Sequence, residues 1–93
     1  MNEINIGEVY YSRARASSIE GAEAFLELLP TLPIRPVPNT YEHVLEAARL
    51  KARYAISYAD AFAVATARRE KATLVTGDPE LRAVEQLVPI LWI

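Results

Sequence analysis

The sequence predicts an α/β fold, with a parallel sheet covered by helices on both faces. Three observations carry that expectation. Helix-like and strand-like segments alternate in the order α-α-β-α-α-β-α-β, and such alternation builds parallel crossover units. The last two strand-like runs, "ATLVT" at 72–76 and "VPILWI" at 88–93, are short and apolar. The chain has 93 residues, 52% of them hydrophobic and 24% charged, which suits one domain with a modest core, spanning residues 1–93.

Residues 3–16 read as a helix, with Ile4, Ile6, Val9, Tyr10 and Tyr11 spread over a broad face. Gly7 interrupts it at a cost of roughly 1 kcal/mol against alanine, which suggests that another backbone comes close there. In "SIEGAEAFLELL", Ser17 and Glu20 have the spacing of a capping box. Ala22, Phe25, Leu26 and Leu29 continue at helical spacing until "PTLP" ends the segment. "IRPVP" at 34–38 reads as a short or edge strand, because proline cannot donate to a ladder.

Asn39 and Glu42 repeat the cap-box spacing and open a helix with Tyr41, Val44, Leu45, Ala48 and Ala52 on one side. The next helix, "ISYADAFAVATARREK", starts at Ser57. After "ATLVT", Asp78-Pro79 restarts a helix, since proline is favoured at a first helical position. The final run, "VPILWI", is a strand. Three strands make a thin sheet, and the order would be more regular with a strand ahead of residue 3.

Composition removes several classes of function. Cysteine is absent and His43 is the one histidine, so disulfides, thiolate sites and multi-histidine metal sites are excluded within one chain. Any metal would be a hard cation on carboxylates, such as Mg²⁺ or Mn²⁺. No apolar run reaches the ~18 residues of a membrane span, and "MNEINIGEVYY" is not a signal peptide. These features fit a cytoplasmic protein. The net charge of −2 gives no global field for nucleic acid, so any such binding needs a local basic patch. Arg13 with Arg15, Arg49 with Lys51 and Arg53, and Arg68 with Arg69 and Lys71 are the candidates, unless each is a solvated helix face.

Three acids sit where carboxylates are not expected. Glu8 lies on a helix between Ile4 and Tyr11, and Asp60 has Ile56, Ala63, Val64 and Ala67 as helical neighbours. Asp78 follows a strand's C-terminal end, the edge at which open parallel sheets bind ligands. Each has a structural alternative. Ser57 and Asp60 match a capping box, Asp78 before Pro79 is a good N-cap, and Glu8 suits an amphipathic boundary. Three acids converging from separate elements favour a shared divalent cation, which removes their mutual repulsion.

"INIGEVYY", "LKARYAISYADAFAVATA", "LVTGDPEL" and "VPILWI" together resemble the PIN domain, specifically the VapC-type toxin ribonucleases. The resemblance covers almost the whole chain. It implies a three-layer α/β/α, Rossmann-like fold and Mg²⁺- or Mn²⁺-dependent endonucleolytic cleavage of RNA. Glu8 matches the acid of the family's early helix, Asp60 that of the later helix, and Asp78 the acid after the penultimate strand. Thr76 matches the small hydroxyl residue before it. Glu8, Asp60 and Asp78 are thus the implied metal ligands, and Thr76 the implied positioner of water or phosphate. Arg68 and Arg69 suit the RNA backbone, and His43 matches no family role, which leaves surface or core packing. The tyrosines Tyr10, Tyr11, Tyr41, Tyr54 and Tyr58 suit either base stacking or packing.

The family also begins with another strand ending in an aspartate, for which this sequence shows no counterpart. The expectation is a partial PIN domain lacking its first strand, with a weakened metal site. The resemblance further implies a homodimer and a VapB-like antitoxin as partner. The rival expectation is a non-catalytic dimerisation or antitoxin-binding module, its first two helices supplying the apolar surface. A third is that the sequence is a piece of a longer, active protein.

Overall fold

Asn2 opens the first helix of the computed structural model, which describes residues 1–93. The chain forms two compact units, Met1–Pro38 and Asn39–Ile93.

In the first unit, α1 runs Glu3–Ala16 and the buried Asn2 side chain caps it by accepting from the Ile4 N–H at 2.9 Å. Helix α2 spans Ile19–Leu28 and continues as a 3-10 turn, Leu29–Thr31. Its N-cap is Ser18, accepting from Gly21 at 3.0 Å, not the expected Ser17. The reason is local. Ser17 already closes α1, its N–H donating to the Arg13 carbonyl at 2.9 Å. Gly7 also departs from expectation, since a Cβ built there would meet nothing within 4 Å. "IRPVP" supplies one bridging residue instead of a strand: Val37 pairs in parallel with Asn2. Pro36 and Pro38 flank it, and neither has an N–H to extend the ladder.

The second unit holds the sheet and the larger core. Helix α3 spans Tyr41–Arg53. Its capping box is Thr40 with His43, one residue later than the expected Asn39 and Glu42. Thr40 Oγ1 accepts from the His43 N–H, and His43 Nδ1 accepts from the Thr40 N–H, each at 3.2 Å. His43 therefore has a definite local task, fixing the entry to α3.

Helix α4, Tyr58–Arg69, buries Ala61, Phe62, Val64, Ala65, Thr66 and Ala67, an almost unbroken run. A helix covered nearly all round must lie at the centre of its unit, and small side chains let its neighbours approach. Thr66 is tolerated there because its hydroxyl donates to the Phe62 carbonyl at 2.7 Å. Leu81, Val64 and Val84 are the largest fully enclosed side chains.

Strands β1, Leu74–Thr76, and β2, Ile90–Trp92, pair in parallel, with Leu74 opposite Ile90 and Thr76 opposite Trp92. The α/β class is thus observed with a small two-stranded sheet. Between the strands, residues Pro79–Val84 form a 3-10 helix, where the sequence suggested an α-helix. Its six residues leave little room before the chain must return to β2.

Candidate metal centre

Thr76 ends β1 and begins a tight relay of side-chain caps. Thr76 Oγ1 accepts from the Asp78 N–H at 3.1 Å, and Asp78 Oδ1 accepts from the Glu80 N–H at 2.9 Å. The Asp78 carbonyl then accepts from Leu81 at 3.1 Å and starts the 3-10 helix. This turn needs Gly77: a Cβ there would stand 3.1 Å from the Ile93 carbonyl oxygen, because the Ile93 N–H donates to Thr76 O at 3.0 Å. The last sheet hydrogen bond and the acidic turn are therefore parts of one construction at the C-terminal edge of the strands.

The N-terminus of α4 meets that turn. Ser57 is the N-cap, its Oγ accepting from the Asp60 N–H at 3.1 Å. Its own backbone N–H donates to Glu80 Oε1. That contact ties a helix start to a turn 23 residues away. As a result Asp60, Asp78 and Glu80 present carboxylate oxygens that all lie within 4.8 Å of one another. Asp60 and Glu80 are half-buried and Asp78 is exposed.

Three carboxylates this close repel one another, and the first turn of α4 offsets only part of that through its dipole. The donor set is all hard oxygen, which suits Mg²⁺, Mn²⁺ or Ca²⁺ and not a thiophilic ion. Oxygens on opposite sides of a Mg²⁺ ion stand about 4.2 Å apart, twice a metal–oxygen bond of about 2.1 Å. The observed spread is close enough that small side-chain rotations suffice. Capping and ligation are compatible, since a carboxylate can accept an N–H on one oxygen and face a cation with the other.

Asp60, Asp78 and Thr76 thus fall in one place. Of the four expected neighbours of Asp60, Ile56, Val64 and Ala67 are buried and Ala63 is half-buried. Glu80 joins them and was not singled out from the sequence, although it lies within "LVTGDPEL". The signal was a second acid two residues after Asp78. Glu8 belongs to the first unit, half-buried midway along α1. Its supposed apolar stripe is not a packed face, because Ile4 and Tyr11 are 43% and 48% exposed.

A sequence model of the family described as "PIN domain" matches residues 1–87. No curated protein and no solved structure gives a significant match to the chain.

Proposed function

Because the chain belongs to the PIN domain family, a family of nucleases, we propose that it is a divalent-metal-dependent endoribonuclease, the toxin of a VapBC-type toxin–antitoxin pair. PIN domains typically use divalent metals, and the observation that carries the reading here is the convergence of Asp60, Asp78 and Glu80. Glu8 is assigned to the same chemistry by its match to the family's early-helix acid.

The reaction is hydrolysis of a phosphodiester: a water oxygen bonds to phosphorus, the bond to the leaving oxygen breaks, and that oxygen takes up a proton. When bound, a divalent cation supplies water acidified toward neutral pH and neutralises charge building on the phosphate. The chain's own residues do the rest. Asp60, Asp78 and Glu80 would hold the cation. Thr76, its Oγ1 engaged by the Asp78 N–H, keeps its hydroxyl proton for a phosphate oxygen or a water. A carboxylate of the cluster accepts the proton that the attacking water sheds.

RNA is the substrate we assign, a VapB-like antitoxin the partner, and a homodimer the assembly. We place the protein in the cytoplasm. It has no cysteine, and no helix is long and apolar enough to cross a membrane.

A second reading, a non-catalytic interaction module, is favoured by the exposed apolar residues of the first two helices. Ile4, Tyr11, Ile19 and Leu28 are 43%, 48%, 64% and 54% exposed. Incubation of RNA with Mg²⁺ and the protein separates the two. The ribonuclease reading expects cleavage that chelation and Asp78→Asn both abolish. Intact RNA beside a tight dimer or antitoxin complex would establish the module instead.

A further inference from the structure

Helices α3 and α4 border an open concavity of about 640 Å³ whose rim carries Arg49, Arg53, Arg68 and Arg69 against a single acid, Glu46. The local charge is +3 in a chain of net charge −2. Arg69 Nη1 pairs with Glu46 at 3.0 Å, while Arg69 Nη2 is buried with no hydrogen-bond partner. Arg49 and Arg53 also stand four apart on α3, a spacing at which like charges repel. An anion with several acceptor oxygens relieves that repulsion, and the planar guanidinium fork matches phosphate in this way.

Tyr54, Leu50 and Leu87 complete the wall. An aromatic ring and apolar side chains beside a cationic rim suit a nucleobase beside its phosphate. Asp60 opens α4 and Arg68 nearly closes it. Eight residues of helix separate them by about 12 Å.

We propose that this concavity is a second RNA subsite, separate from the acidic cluster, which takes one nucleotide unit of a single strand. The arginine rim holds its phosphate, and Tyr54 with the apolar wall holds its base. The assignment rests on RNA being the substrate, but it is readable without cleavage.

The test is fluorescence anisotropy of a labelled short single-stranded RNA in EDTA, with adenosine monophosphate, inorganic phosphate and poly-glutamate as competitors. Arg49 and Arg53 are exposed, so Arg49→Gln/Arg53→Gln leaves the core untouched, and circular dichroism checks the helices. Arg68→Gln is a second, independent variant. The expected result is a loss of affinity of about tenfold or more, with the salt slope reduced by about one for each phosphate no longer neutralised. Tyr54→Ala weakens RNA binding while leaving inorganic phosphate competition unchanged. Affinity that neither arginine variant changes overturns the proposal. So does poly-glutamate competing as well as RNA, which would assign the site to an acidic protein. Adenosine monophosphate binding as tightly as the oligonucleotide overturns the strand and leaves a free nucleotide. Loss of cleavage in Asp78→Asn with RNA affinity retained separates this subsite from the acidic cluster.

Discussion

The Ser57 backbone N–H donates to the Glu80 carboxylate, so an acid of the candidate metal centre also anchors the start of α4. The two tasks separate by substitution. Glu80→Gln keeps an acceptor for Ser57 but removes a charge. We expect it to keep most of the stability and to lose affinity for Mn²⁺. Glu80→Ala loses both, and its unfolding free energy falls by about 1 kcal/mol. Urea unfolding beside a Mn²⁺ titration reads the two effects. Equal metal affinity in Glu80→Gln and the parent would leave Glu80 a purely structural anchor.

Thr76 offers a second separation. Its Oγ1 accepts from the Asp78 N–H, and serine can keep that bond while valine cannot. Thr76→Ser should retain most of the RNA cleavage rate, and Thr76→Val should lose about 10²–10³-fold in kcat, the range for a positioned donor. Equal rates in both variants would remove Thr76 from the reaction.

Lys71 carries a backbone cost. Its φ is 52°, the left-handed region, in a helix ending where the Lys71 N–H bonds to Arg68 O and the Ala72 N–H to Ala67 O. Glycine is favoured at this place in such a Schellman ending. Lys71→Gly is therefore expected to stabilise the protein by about 0.5–1 kcal/mol, measured as a raised urea midpoint at constant m. A lowered midpoint would contradict the strain.

Tyr10 gives a pH signature. Its hydroxyl donates to Glu23 Oε1 at 2.8 Å, and that bond, then desolvation and the Glu23 charge, raises its pKa above 10.0. The folded state holds this proton more tightly. The contribution to stability is therefore complete below the unfolded pKa and fades as pH rises through the folded one. Tyr10→Phe should flatten that alkaline loss. An unchanged slope above pH 10 would show that Tyr10 does not set it.

The parts of the structure legible in the sequence are those fixed by near neighbours. Ser57 with Asp60, Asp78 before Pro79, and the runs around Leu74–Thr76 and Ile90–Trp92 rest on spacings of a few residues, and all lie where the pattern put them. The misses came from competition or distance. Ser17 and Ser18 both suit an N-cap, and the end of α1 decides between them. Thr40 takes the cap in place of Asn39, with His43 completing its box. Glu80 takes its place through a contact 23 residues away, which no local pattern announces. The Arg69–Glu46 pair spans the same separation, so the basic concavity was visible only as scattered charge.

The most direct measurement is Mn²⁺ binding followed by electron paramagnetic resonance, on the parent chain and on Asp60→Asn/Asp78→Asn. The account predicts a saturable site in the parent that the double variant loses, together with its Mg²⁺-dependent RNA cleavage. Equal Mn²⁺ uptake by both chains would contradict the claim that Asp60, Asp78 and Glu80 form a metal centre.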